Sequence, residues 1–189
     1  VKKDPQLVEA FLTKIYANAV FEPNEEGSIP KQDRLTDAVV GGEYTLMAPW
    51  QNGIKASYNI PTASGAHSRL TRWHYGNIRS CNEIIEILNN ATFDAATVKI
   101  QIAEAKFLRA WMYLDMAKRY GGMPLELTAK SVDAPAEELM IPRNTLKETY
   151  DQIISDLDAA IADLPGVVIY GKASKWAAFA LKSRAALYA

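Results

Sequence analysis

Two aromatic residues in the first half of the chain, Trp50 and Tyr58, stand among hydrogen-bonding groups: Asn52, Asp37 and Arg34. Flat rings beside an amide, a carboxylate and a guanidinium suit a ligand with apolar faces and a hydroxyl rim, as a sugar has. Such rings give large contact area at low entropic cost. The wider stretch from Tyr44 to Tyr75 adds Trp73, with Gln51, Asn59, His67, Arg69 and Arg72 between. Trp73 and Tyr75 are expected to pack the helix that follows. Trp50 and Tyr58, in a segment containing Gly and Pro, are expected to be exposed. These five residues, Arg34, Asp37, Trp50, Asn52 and Tyr58, are the candidate ligand-binding set.

Other residue patterns point away from chemistry. Gly166 to Lys172 mimics a phosphate-binding loop, but that loop needs Ser or Thr after the Lys to hold magnesium. Here the position is Ala173, and a helix rather than a strand precedes it, so the segment reads as a connector. Cys81 lies on an apolar helix stripe, with His74 two turns away. A reactive thiolate needs an electropositive, partly exposed setting, so Cys81 reads as a small hydrophobe. His67 reads as a solvated loop histidine. Glu25 and Glu26, or Asp156 and Asp158, are the carboxylate pairs. The helical pair lies beside an apolar stripe and reads as a solvated face. No G-x-S-x-G or H-E-x-x-H run occurs. No catalytic residue, metal or cofactor is therefore expected.

The elements that must position the candidate set are helices. Asp4-Pro5 is a helix start, a capping side chain followed by Pro at the first turn. Leu7, Val8, Phe11, Leu12, Ile15, Tyr16 and Ala19 follow at helical spacing. From about Phe21 to Ser68 no period is sustained; segments this long are usually functional or disordered. A second helix is expected over about Arg69 to Asn89, with its stripe at Tyr75, Ile78, Cys81, Ile85 and Leu88. A third opens at Asp94, with Phe93 placed to staple to Val98. It is apolar on nearly every side between Phe107 and Ala117, which marks a central helix. Gly121-Gly122 and Pro124 stop it.

Leu125 to Arg143 is mixed, with a short extended piece expected at Leu125–Leu127. Thr145 and Glu148 have capping-box spacing before a stripe at Leu146, Tyr150, Ile153, Leu157, Ile161 and Leu164. The last helix starts near Ser174 and carries Trp176, Ala177, Ala180, Leu181 and Leu187. It is still apolar at Ala189, so the expectation is that the natural protein continues. Ala105, Arg109, Ala110 and Tyr113 recur in order as Ala180, Arg184, Ala185 and Tyr188. Their offset is close to two ~34-residue helix–turn–helix units of tetratricopeptide type. Two Ala-rich helices of similar composition would give the same echo.

The bulk properties set outer bounds. The 189 residues are 49% hydrophobic and 23% charged, with 21 Lys+Arg against 22 Asp+Glu. That length buries a core in a single domain. The balanced charge leaves no basic excess to neutralise phosphates, so nucleic acid is not an expected partner. One cysteine and two histidines exclude an internal disulfide, a cysteine-rich zinc site and an all-histidine metal site. No apolar run reaches the ~20 residues that span a bilayer, and the opening residues carry no hydrophobic leader.

The run IAEAKFLRAWMYLDMAKRYGGMP, from Ile102 to Pro124, is similar to the most recognisable segment of the SusD/RagB family. These are surface-exposed, nutrient-binding lipoproteins of Bacteroidetes. WHYGNI from Trp73, followed by Cys81-Asn82, resembles the family's second helix. Arg143, YDQIISDL from Tyr150 and Leu164-Pro165 resemble its next one. GKASKWAAFALKSRAALY, from Gly171 to Tyr188, resembles the helix after that.

The resemblance implies an all-α, tetratricopeptide-like bundle of about five main helices with long connecting loops. It implies that residues 1–189 are the amino-terminal portion of a longer protein whose carboxy-terminal part supplies much of the ligand site. It further implies non-catalytic capture of glycans or other nutrients for a SusC-like TonB-dependent outer-membrane transporter. The protein would sit on the outer membrane, lipid-anchored through a cysteine outside this sequence, since Cys81 is mid-helix. The Pro165–Gly171 connector is short for the family. No family motif assigns ligand residues here; Arg109, Tyr113 and Gly121-Gly122 are expected to be framework, with Arg109 paired inside the helix packing. The rival reading is a helical-repeat scaffold that binds only proteins, and a third is a helical hydrolase. The isolated chain is expected to self-associate through the apolar face the remaining part would cover.

Overall fold

The computed structural model describes residues 4–19, 73–131 and 133–189. Their order is α1 (Pro5–Asn18), α2 (Tyr75–Asn89), α3 (Ala95–Tyr120), α4 (Ala136–Leu139), α5 (Leu146–Asp163) and α6 (Lys175–Tyr188). Five of these are long and α4 is a single turn. No strand occurs among the described residues. Successive long helices pack on each other: α2 on α3, α3 on α5, α5 on α6, with α1 laid against α2 and α3. The plan is a tetratricopeptide-like stack of helical pairs around α3.

Local chemistry explains most boundaries. Asp4 accepts from the Gln6 N–H at 2.9 Å, and Pro5 begins α1. Asp94 caps α3 through the Thr97 N–H at 2.8 Å. Phe93 and Val98, the expected staple, are both half-buried against the core. Thr145 and Glu148 form the full capping box of α5, and Ser174 caps α6 at the Ala177 N–H. Gly121 ends α3 at φ 77°, a backbone region that residues with a Cβ avoid. Gly122 is required for a different reason. A Cβ there would lie 2.2 Å from the Asn144 carbonyl oxygen, so the exit of α3 presses against the start of α5.

The core centres on α3. Phe107, Leu108, Ala110, Met112, Tyr113, Leu114, Met116 and Ala117 are all buried. They meet Ile78, Ile84 and Leu88 of α2, Ile153 and Leu157 of α5, and Val8, Leu12 and Ile15 of α1 in one continuous cluster. Each buried Leu, Ile, Val, Met or Phe side chain contributes about 1.5–3 kcal/mol.

Several expectations change. α2 starts at Tyr75, not near Arg69. His74 is fixed sideways onto α3, its N–H to the Met116 sulfur and its ring to Asp115, so the backbone at 74 cannot continue a helix upstream. Trp73 is half exposed, and Tyr75 is partly buried against the core. Leu7 and Leu146, in the first turns of α1 and α5, are exposed.

On α6, Trp176, Ala180 and Leu187 are exposed, Ala177 and Leu181 are partly buried against the core, and Ala178 and Ala185 are buried. α6 packs chiefly on α5, and two alanines one heptad apart allow that close approach. The internal echo does not extend to burial. Arg109 and Tyr113 are interior, but Arg184 and Tyr188 are on the surface. The expected extended piece at Leu125–Leu127 joins no sheet; side chains take its backbone hydrogen bonds instead.

Candidate functional site

Arg34, Asp37, Trp50, Asn52 and Tyr58 all lie outside the described residues, as do His67 and the Glu25–Glu26 pair. What the structure shows is the mount for the candidate segment. The residues of the helical unit that flank this segment are Ala19 and His74. Ala19 is buried, and its N–H closes α1 on the carbonyls of Ile15 and Tyr16. Asn77, in the first turn of α2, donates to the Asn18 carbonyl at 3.4 Å. The departure and return points are therefore neighbours.

The return point is tied down electrostatically. His74 Nε2 lies 3.0 Å from Asp115 Oδ2, and Arg119 Nη1 lies 2.5 Å from the same oxygen. The His74 ring also sits 5.4 Å from that of Trp111. Burial by itself raises the Asp115 pKa. Hydrogen bonds from His74 and Arg119 outweigh it and hold the carboxyl at about 2.

A second polar cluster fixes the stack itself. Arg109 Nε and Nη2 donate to the two oxygens of Asp156 at 2.8 and 2.7 Å, a buried bidentate pair joining α3 to α5. Arg109 Nη1 donates to Asn82 Oδ1 of α2 at 2.7 Å and to the Leu127 carbonyl at 3.3 Å. Asn82 Nδ2 then donates to the Glu126 and Thr128 carbonyls. The Tyr113 hydroxyl accepts from the Glu126 N–H at 2.7 Å and donates to the Glu126 carbonyl at 3.1 Å. Met123 N–H goes to Thr149, Leu125 N–H to Asn144, and the Pro124 carbonyl accepts from Tyr75. The non-helical strip 123–128 is thus held by side chains of three helices, as buried backbone groups require.

Arg109 pairs inside the packing, as expected. Asp156 does not lie on a solvated face; it is buried, and only Asp158 is exposed. The signal was present: Asp156 falls three residues after Ile153 and four before Ala160, squarely on the α5 stripe. Asn82 and Asp156 were the framework residues that sequence reasoning missed.

The described residues offer little for bond-breaking. Burial pushes the Cys81 thiol up to about 12, which keeps it protonated and inert. Gly166–Lys172 is a connector between α5 and α6. Its Gly166 carbonyl accepts from Trp176 Nε1, and Lys172 pairs with Glu9. Among the described residues no group of three or more His, Cys, Asp or Glu could hold a metal. A hollow lined by Glu83, Glu86, Ile87 and Asn90 spends its polar groups locally. Glu83 pairs with Arg79, and Glu86 accepts the Ala129 N–H.

An apolar surface does stand out. Tyr170 is fully exposed beside Val167, Val168 and Ile169, and Trp176 (61% exposed) lies 6.2 Å from Phe179, ring to ring.

Fold and mount together define a helical scaffold that carries a long segment between two neighbouring anchor points. The SusD-like family described as starch-binding and associating with the outer membrane matches residues 2–187, and the chain belongs to that family. A SusD-like protein of Bacteroides ovatus is 26% identical over 92% of this chain and 30% of its own length. The crystal structure of a SusD-like protein from Bacteroides fragilis is 27% identical with a TM-score of 0.72, covering 98% of this chain and 35% of that one. A laminarin-binding SusD-like protein shares the fold at 22% identity and TM-score 0.71, covering 100% of this chain and 41% of its own. The chain therefore spans about a third of the length of these relatives.

Proposed function

We propose that this chain is the amino-terminal part of a non-catalytic protein that captures glycans at the bacterial cell surface. Membership of the starch-binding, outer-membrane-associated family across residues 2–187 is the observation that carries this reading. In it, Trp50 and Tyr58 are the stacking platforms, and Asn52, Asp37 and Arg34 address the hydroxyl rim. The helical stack is the rigid base, with the carboxy-terminal part of the longer protein completing the site. The captured glycan passes to a SusC-like TonB-dependent transporter, and a lipid anchor outside residues 1–189 keeps the protein on the outer membrane. The laminarin-binding neighbour supports an oligosaccharide ligand class.

The test is a polysaccharide panel on the full-length protein, followed by calorimetric titration of the best ligand. Trp50→Ala should weaken binding by about ten-fold, the ~1.4 kcal/mol scale of one aromatic contact. No binding to any polysaccharide, together with no change in Trp50→Ala, would overturn the reading. Co-purification with an outer-membrane transporter tests the delivery step; a protein that never associates with one removes it.

A further inference from the structure

α3 carries one more polar group into the interior, and it is not matched. Glu104 is 2% exposed, and its Oε2 has no hydrogen-bond partner. Gln101 is 4% exposed, and its Oε1 has none either. The two residues are three apart on a helix, which places them on one face. Both orphaned atoms are acceptors. A buried acceptor without a donor is costly, and an ionised one more so.

The surrounding groups explain why no donor is spare. From α1 come Glu9 and Tyr16; from the α5–α6 connector comes Lys172. The Tyr16 hydroxyl is hydrogen-bonded to the Glu104 carboxyl and accepts from the Ala173 N–H at 2.9 Å. Lys172 is drawn to Glu9 as an ion pair. The Gln101 amide reaches Glu9 Oε2 at 3.4 Å. The cluster holds two carboxyl groups and one ammonium.

We propose that Glu104 is a proton-operated latch: its neutral acid donates from Oε2 to Gln101 Oε1 within α3, leaving Lys172 to Glu9 in the seam that ties α1 to the entrance of α6. One proton turns an acceptor into a donor and satisfies both orphans at once. Losing it leaves a buried carboxylate facing Glu9. Lys172 must then be shared, or water must enter, and the α1–connector seam loosens.

The titration range agrees with the geometry. Burial, followed by the Glu9 charge, raises the Glu104 pKa to about 7, although Lys172 and the Tyr16 hydrogen bond pull it down. The folded protein then holds this proton more tightly than the unfolded chain, whose Glu titrates near 4.5. The stabilisation is complete below about 4.5 and is lost as pH rises through about 7.

Two measurements decide it. Carbon-detected NMR of the wild-type Glu carboxyls should give Glu104 a midpoint near neutrality. Thermal unfolding between pH 5 and pH 8 should show the wild type melting lower at the alkaline end. Glu104→Gln, whose amide can donate to Gln101 without a titratable proton, should flatten that dependence. His74 is present in both proteins, so the difference between them isolates Glu104. A Glu104 midpoint near the ordinary carboxylate value would overturn the latch, and would fit a buried water serving both acceptors. An undiminished pH slope in Glu104→Gln would also overturn it. If Glu104→Gln does not fold, the wild-type NMR midpoint alone decides.

Discussion

α3 carries two polar clusters into the same core, one turn and a half apart, and they are built oppositely. Around Arg109 every strong donor has an acceptor: both Asp156 oxygens, the Asn82 carbonyl oxygen and the Leu127 backbone are engaged. Around Glu104 two buried acceptor atoms, Glu104 Oε2 and Gln101 Oε1, have no donor. The first cluster joins α2, α3, α5 and the strip 126–128, and its charges balance within the pair. The second joins α1, α3 and the connector, and its charge balance depends on one proton. Burial alone does not tell a structural charge from a responsive one; the ratio of donors to acceptors does.

The comparison can be broken most forcefully at Arg109. Arg109→Ala leaves the Asp156 carboxyl group buried without its partner, and should cost about 3–5 kcal/mol in urea unfolding. Replacing both partners together, Arg109→Met with Asp156→Leu, should recover most of that loss, since a matched pair removed as a unit leaves no orphan. A double variant as unstable as Arg109→Ala would mean that Asn82 and the 126–128 strip, rather than the ion pair, set the cost.

Tyr113→Phe sharpens the same point one bond further out. It strands the Glu126 N–H, while the Glu126 carbonyl keeps its bond from Asn82, for about 1–3 kcal/mol of stability. Amide exchange at Glu126 should accelerate selectively. Thr145→Ala gives the smallest effect, about 1 kcal/mol from a lost helix cap at a site in neither cluster. Thermal melts of the two single variants should preserve that order, below Arg109→Ala.

Much of the framework was legible because it rests on local rules. The caps at Asp4, Asp94, Thr145 and Ser174 are written in residues within one turn of their targets. The central position of α3 follows from apolar residues on nearly all its sides. What was not legible depends on distant partners. Asp156 looks like any surface Asp until Arg109, far away in sequence, is brought against it. Glu104 is unremarkable in a helix until Glu9, Tyr16 and Lys172 converge from both ends of the chain. Which face of α6 is covered also depends on a distant partner: Ala178 and Ala185 are buried, while Trp176, Phe179, Leu187 and Tyr188 are exposed. The proposed ligand residues Arg34, Asp37, Trp50, Asn52 and Tyr58 come from composition and sit in a stretch with no period to place them.

The adjacency of Asn18 and Asn77 has a consequence for how such a protein can change over generations. A segment whose two ends meet at one fixed gate pays a closure cost that rises only with the logarithm of its length, about 0.6 kcal/mol for each doubling. By closure cost alone, a change of length between the two anchors therefore weighs little beside the burial of the helical core.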